Sequence, residues 1–210
     1  MRHHTACHTH HLALNSLVGV ILVAQLLVPA VTSAEQLAIN IEHSTITVRV
    51  FKSGLFRAFA DNHVIQAPLK DGFLDDGSSP RVQILVDAQQ MRVMDPGLSL
   101  TDRQQVQTRM LGPEVLDASR FPQIRFQSVT VQRLEPDGWL VKGELTIHGQ
   151  THAVAVKVTT EQGRYRGSAL VKQTDFGISP ISIAGGTVRV KDEVMIDFDI
   201  APGPNPAAIH

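Results

Sequence analysis

Two stretches of alternating hydrophobic and polar residues lie next to each other near the middle of the chain, in Gly138–Thr159. The first stretch places one set of residues on the same side: Trp139, Val141, Gly143, Leu145 and Ile147. In the second stretch, Val154, Val156 and Val158 alternate with small or polar residues. A period of two is that of a β-strand, because successive side chains point to opposite faces. The pattern predicts an antiparallel hairpin with one apolar face, turning at Gly149, since glycine readily adopts positive φ.

Further alternating runs flank this hairpin and supply strands for its apolar face, which two strands cannot bury alone. The predicted strands are Ser44–Phe51, His63–Ala67, Arg81–Ala88, Gln123–Gln132, Arg164–Gln173 and Thr187–Ile200. Within one of them the apolar phase slips by one residue between Phe126 and Val129, as a β-bulge would produce. Pro68 predicts an edge or a turn for the residues that follow it, because proline has no amide N–H for a ladder.

One segment has the signals of an α-helix, Leu100–Met110. Thr101 and Gln104 fit a capping box, in which the threonine hydroxyl accepts from the backbone and the glutamine reaches back. Gly112 and Pro113 predict the end of the helix.

A shorter helical turn is predicted within Lys52–Asn62, where Phe56 and Phe59 point inward.

Seven or eight strands in mostly antiparallel order, with one helix between them, predict an all-β sandwich or barrel. Closure into a barrel removes exposed strand edges, and about eight strands enclose space for one slender ligand. Because the inward phase carries Val, Leu, Ile, Phe and Trp, such a cavity would be apolar.

The first 34 residues have the three-part pattern of a secretory signal peptide. Residues 1–11 contain an arginine and five histidines, residues 12–28 are nearly all apolar, and residues 32–34 are small. Cleavage after Ala34 would therefore release the protein into the periplasm or the medium. The histidine cluster could bind a metal ion, but it would be removed with the signal peptide.

The remaining chain is predicted to form one domain, residues 35–200, followed by a loose, proline-rich tail, residues 201–210. An uncleaved membrane anchor is the alternative, although the strongest apolar run, residues 17–28, is shorter than the ~20 residues of a span. Cys7 is the only cysteine, so the mature domain would have no disulfide. The 19 basic and 20 acidic residues and the few aromatic residues argue against a nucleic-acid surface.

One polar cluster suggests chemistry, namely Asp61, Asn62 and His63. With His148 and His152 it could form a metal or acid–base site, which makes an enzyme centred on His63 the alternative hypothesis. The competing interpretation is a turn followed by the start of a strand, because Asp and Asn favour turns. His148 lies on the polar phase and is predicted to be exposed.

A second motif, Asp175-Phe176-Gly177, matches the magnesium-binding triplet of protein kinases, but the other kinase signatures are missing. Phe176 is instead predicted to close one end of the barrel, with Gly177 turning the chain. The sequence has no Gly-x-Ser-x-Gly elbow and no reactive cysteine in the mature domain, which argues against a nucleophilic hydrolase.

An ordered set of short motifs resembles YceI-like proteins. The set consists of Asp102-Arg103, Met110-Leu111-Gly112, Leu116-Asp117, Phe121–Ser128, Val141–Gly149, Thr174–Ile178 and Asp192-Glu193-Val194. The resemblance implies a lipocalin-like antiparallel barrel that is secreted or periplasmic and binds long polyisoprenoid chains, including quinone-type lipids, in a central tunnel. It implies neither catalysis nor a cofactor. The segment Lys52–His63 departs from the His and Gly-x-Phe pattern common in the family.

On this interpretation, the tunnel wall is formed by the inward aromatic and aliphatic residues Ile46, Val48, Phe56, Phe59, Phe126, Trp139, Val141, Leu145, Phe176 and Phe198. The partner would be an isoprenoid lipid or quinone, and membrane contact would be transient, for lipid exchange. The oligomeric state is left open, with a homodimer as one option. A barrel filled by its own side chains, with a purely structural role in the cell envelope, is a third hypothesis.

Overall fold

A computed structural model describes residues 37–53, 63–183 and 188–204 of the chain. Its strands are β1 Leu37–Ala38, β2 Thr45–Ser53, β3 His63–Gln66, β4 Leu69–Asp75, β5 Arg81–Asp87, β6 Arg92–Val93, β7 Gln123–Leu134, β8 Gly138–Ile147, β9 Gln150–Glu161, β10 Arg164–Lys172, β11 Ser182–Ile183 and β12 Val188–Ile200. The helix α1 spans Leu100–Leu111, and 3₁₀ turns span Ala88–Gln90 and Gln173–Phe176. These twelve strands exceed the predicted count of about eight, because four of them have only two to four residues.

All strand pairs are antiparallel and follow the order β1-β4-β5-β7-β8-β9-β10-β12-β2-β3-β6, with β11 pairing with β12. β3 and β4 lie near opposite ends of this order, yet only Ala67 and Pro68 separate them in the chain. The sheet therefore curls until its two ends meet in one bent strand. With β3 and β4 counted together, eight strands form the wall, as expected for an antiparallel barrel.

The bend at Pro68 corrects the sequence prediction for the residues after it. β4 is neither an edge nor a turn, because it pairs with β5 on one side and with β1 on the other. The proline occupies the bend itself, where Ala67 N donates to Ile46 O at 2.9 Å and Pro68 O accepts from Asp87 N at 3.1 Å. Its missing N–H is therefore not needed in either ladder.

The central hairpin and the bulge are confirmed. β8 and β9 pair along their whole length around a two-residue turn, in which His148 and Gly149 have φ of 51° and 74°. Gly149 lies in this turn, as the sequence predicted. The register of β7 on β8 shifts between Ser128 and Thr130, and the Val129 side chain at the bulge is 68% exposed. The bulge thus returns Val131 to the inward phase.

Helix α1 is confirmed, but its predicted N-cap is wrong. The cap is Ser99, whose Oγ accepts from Asp102 N at 3.1 Å and contacts Asp102 Oδ2 at 2.7 Å. Thr101 lies inside the first turn. The sequence contains two overlapping capping boxes, and the structure uses the one that starts two residues earlier.

Contacts of the barrel continue past Ile200. Ile39 forms a bridge with Pro202, and Gly203 N donates to Ala38 O at 2.6 Å. The predicted signal peptide, the helical turn with Phe56 and Phe59, and the last residues of the predicted tail lie outside the described residues. Within the described part of the chain, no helix has the length and apolar character needed to cross a membrane.

Candidate ligand-binding cavity

A cavity of about 260 Å³ lies inside the barrel and is lined by the inward-pointing side chains of its strands. Eight predicted tunnel residues line it: Ile46, Val48, Phe126, Trp139, Val141, Leu145, Phe176 and Phe198. The other two, Phe56 and Phe59, belong to the segment outside the described residues. The periodicity thus identified the correct face of the strands.

Two glycines in the wall make room for two phenylalanine rings. A Cβ at Gly143 would lie 2.6 Å from the Phe126 ring and would also clash with Gln127 O. A Cβ at Gly167 would lie 2.6 Å from the Phe198 ring. Each ring therefore packs against the glycine of the neighbouring strand, and both rings line the cavity.

One end of the cavity is apolar and is called here the Phe176 end, defined by Met110, Leu116, Phe176 and Ile178. The Phe176 side chain is 2% exposed, and Gly177 after it has φ of 71°. This geometry agrees with the prediction that Phe176 closes one end and Gly177 turns the chain. All four residues are buried.

Sequence reasoning missed several cavity-lining residues at or near the Phe176 end, because they come from α1 and the irregular chain around it rather than from alternating strands. They are Met91, Met110, Val115 and Leu116. Met110 is the buried residue of α1, so the helical spacing could have identified it as inward-facing. The other three carry no periodic signal.

The opposite end carries the charged groups of the lining and is called here the Tyr165 end, defined by Asp75, Asp76, Arg81 and Tyr165. Tyr165 Oη donates to Asp76 Oδ2 at 2.7 Å. Asp75 is 3% exposed and accepts from Gly77 N at 3.0 Å and from Arg81 Nη2 at 3.4 Å. The Arg81 side chain is 58% exposed, so this end is in contact with solvent.

The Tyr165 phenol is held in its neutral form. Burial raises its pKa well above the usual value, and the hydrogen bond to Asp76 and the negative charge of Asp76 raise it further. The positive charge of Arg133 opposes this shift and is the smallest of its causes. Tyr165 therefore acts as a hydrogen-bond donor in any physiological buffer.

Trp139 lies at the same end of the cavity. Its Nε1 donates to Thr160 Oγ1 at 3.2 Å, and Thr160 is the cross-strand partner of Tyr165. The Arg133 guanidinium carbon lies 5.4 Å from the centre of the indole ring. Trp139 and Tyr165 also pack against the same cluster of buried valines.

The two ends are separated by much of the length of β8. Trp139 and Leu145 are six residues apart, which corresponds to ~20 Å along a strand. Leu145 pairs with His152, whose ring lies 5.3 Å from that of Phe176. An elongated molecule could therefore contact both Trp139 and Phe176 only by lying along the barrel axis.

His63 occupies a different place from the cavity lining. Its Nδ1 lies 2.5 Å from Asp95 Oδ2, while Asp95 Oδ1 accepts from Val64 N at 2.6 Å. Asp95 is 2% exposed, and its carbonyl accepts from Arg103 Nη2 at 2.7 Å. These bonds fasten the start of β3 to the segment before α1, which is a structural role.

The three candidate histidines are not brought together. His148 contacts the Phe121 ring at 4.7 Å, and His152 contacts Phe176. His148 is half-buried, and its predicted exposure is wrong, because the tight turn folds its ring onto Phe121. Across residues 37–53, 63–183 and 188–204, no group of three or more His, Cys, Asp or Glu side chains could hold a metal ion.

The fold is similar to two solved structures. BcnA of Burkholderia cenocepacia is 20% identical, with a TM-score of 0.56 over 77% of this chain and 98% of that one. A polyisoprenoid binding domain from Saccharophagus degradans, implicated in plant cell wall breakdown, is 12% identical, with a TM-score of 0.52 over 80% of this chain and 97% of that one. At these identities the likeness shows the fold alone.

Comparison with curated proteins finds no significant match. The sequence pattern of the YceI-like domain matches residues 37–201, which is most of the chain. This match agrees with the ordered motifs and the antiparallel barrel that the sequence predicted. The chain therefore belongs to the YceI-like domain family.

Proposed function

We propose that the protein is exported and that it holds one long isoprenoid chain with a quinone-type head in the barrel cavity, as a carrier or sequestering module. The observation that carries the proposal is the apolar lining, which is continuous from Trp139 to Phe176. The Saccharophagus degradans structure of the same fold, a polyisoprenoid binding domain, supports the same ligand class.

The size and chemistry of the cavity suit a slender apolar chain. Its volume of about 260 Å³ is slightly below the roughly 300–1,000 Å³ of pockets for compact ligands. Each CH₂ group that enters the cavity contributes about 0.8 kcal/mol before ordering costs. Affinity should therefore rise with the length of the tail until the cavity is filled.

Export is proposed from the sequence of residues 1–34. Mass analysis of the protein from its native host should find a mature amino terminus at Glu35. Full-length protein retained in the membrane would contradict cleavage and would favour an anchored form of the same barrel.

The binding test is extraction of lipid from purified protein, followed by mass spectrometry. A stoichiometric prenyl lipid supports the proposal, whereas an empty barrel that also fails to bind prenyl quinones of any tail length overturns it. Bound zinc or a turnover lost in His63→Ala would favour the enzyme hypothesis. The contacts of His63 instead predict that His63→Ala loses stability and keeps its lipid affinity within a few-fold.

A further inference from the structure

The charged and phenolic groups of the cavity lining are gathered at the Tyr165 end, next to Trp139. We propose that this end holds the head group of the ligand, that the head group is neutral, and that the tail runs toward Phe176. This inference depends on the proposed function, because it assigns an orientation and a head-group chemistry to the same cavity.

The orientation follows from what each end offers a polar head. At the Tyr165 end, Arg81 can donate and Asp76 can accept hydrogen bonds beside solvent. Among the described residues at the Phe176 end, the one polar side chain in the lining is Gln173, which offers an uncharged amide whose Nε2 donates to Lys191 O at 2.8 Å. A polar head placed among buried apolar side chains would lose hydrogen bonds to water without replacement, which is unfavourable.

The proposal that the head group is uncharged follows from the balance of charged side chains at the Tyr165 end. Two carboxylates, Asp75 and Asp76, face one lining guanidinium, Arg81, and Arg133 stands behind Trp139. A phosphate or diphosphate head would lie next to both carboxylates and be repelled by them. A cationic head would compete with Tyr165 and Arg81 for the same carboxylates. A ring carbonyl can instead accept from Arg81, and a ring hydroxyl can donate to Asp76.

The orientation can be tested with one benzoquinone carrying a geranylgeranyl tail. Trp139 is the only tryptophan, so its fluorescence reports how close the quinone head is to the Tyr165 end. The matched variant Trp139→Phe/Phe176→Trp moves the reporter ~20 Å along the strand direction. We expect strong saturable quenching in the parent protein and little quenching in the variant. Equal quenching, or stronger quenching in the variant, would overturn the orientation.

A second measurement uses only the parent protein, in case the double variant fails to fold. Its ligand is geranylgeraniol with a nitroxide at the far end of the tail. The proposed orientation predicts that this compound binds while leaving Trp139 much brighter than the quinone does. Quenching as strong as that by the quinone would place the tail end at Trp139 and overturn the proposal.

Head-group charge is tested with three compounds of the same tail: the quinone, the free alcohol and the monophosphate. We expect the phosphate to bind at least about tenfold more weakly than the quinone, equivalent to about 1.4 kcal/mol. Asp76→Asn should narrow this gap, whereas Asp197→Asn, which alters a carboxylate paired with Arg49 on the outer face, should not. Tighter binding of the phosphate would overturn the neutral-head proposal.

Failure of the proposed function has a different signature. If none of the three compounds binds, the cavity does not take prenyl chains, and both proposals fall together. If the quinone binds saturably but the quenching pattern is reversed or uniform, the carrier function stands and the orientation alone is wrong.

Discussion

The two ends of the cavity are built from different kinds of chain. The Phe176 end is closed by buried apolar side chains that come from α1, the chain after it and the 3₁₀ turn after β10. The Tyr165 end is formed by the loop after β4 and the first residues of β5 and β10, with partly exposed polar groups. One end contributes mainly to folding by burial, and the other offers hydrogen bonds next to water.

One barrel can thus separate apolar burial from hydrogen bonding along its length. Apolar burial at the Phe176 end is non-directional and tolerates many tail shapes. Hydrogen bonds at the Tyr165 end are directional and, on the proposed orientation, would distinguish head groups. Variants at the two ends should therefore differ in what they change, and the following predictions test this difference.

The largest effect on ligand affinity is expected for Leu145→Arg. Leu145 is buried, lines the cavity and lies toward the Phe176 end. A guanidinium there would fill or polarise the path of the tail, so affinity for a long-tailed quinone should fall about 100-fold, or about 2.7 kcal/mol. Titration of Trp139 fluorescence measures the loss.

The matched control is Lys142→Ala, which replaces an exposed residue on the outer face of the same strand. Its affinity should stay within a few-fold of the parent protein. Circular dichroism must show that both variants are folded. Equal losses of affinity in two folded variants would mean that the inward face of β8 is wrongly assigned.

Much of the wall was predictable from the sequence, because strand period alone assigns a face. Trp139, Val141 and Leu145 share a phase, and the structure places all three in the lining. The bulge at Val129 was also visible as a slip of the same phase. Local patterns of this kind need no information about distant residues.

The Tyr165 end was not predictable in the same way. Asp75 and Asp76 belong to a stretch with the composition of an ordinary loop, and the hydrogen-bond partner of Asp76 is 89 residues away in the sequence. The bond between His63 and Asp95 likewise joins residues 32 positions apart. Such contacts depend on how the barrel closes, which no local pattern encodes.

Among variants that change the free energy of unfolding, Phe176→Ala should have the largest effect. Removal of a fully buried phenylalanine side chain costs roughly 3–5 kcal/mol through lost burial and the cavity left behind. Tyr165→Phe at the other end should cost about 1 kcal/mol or less, because the lost bond is to an exposed carboxylate. Urea unfolding measures both values. Similar losses would show that the two ends contribute equally to stability.

Ser99→Ala tests the helix next to the Phe176 end. The variant removes the N-cap of α1 and should lower the free energy of unfolding by about 1 kcal/mol. Thr101→Ala, two residues further on, should have little effect, since Thr101 is not the cap. Thermal unfolding of the pair decides between the two capping boxes, and a larger loss in Thr101→Ala would favour the box that the sequence first suggested.

The smallest effect is expected from alkaline titration of the Tyr165 end. Tyr165 is the only tyrosine, so ultraviolet absorbance of the phenolate reports it alone. Burial and then the bond to Asp76 raise its pKa, so the phenol should remain protonated at a pH near 10, where an unfolded tyrosine is half ionised. Because the folded pKa is raised, its contribution to stability is complete below pH ~10 and is lost as pH rises through the folded value. In Asp76→Asn, the onset of ionisation should move toward that of the unfolded chain, since the variant removes the negative charge but keeps an acceptor. If Tyr165 ionises at the same pH in the folded protein as in the unfolded chain, its hydroxyl is fully solvated and its pKa is not raised. The proposed electrostatic difference between the two ends of the cavity would then be wrong.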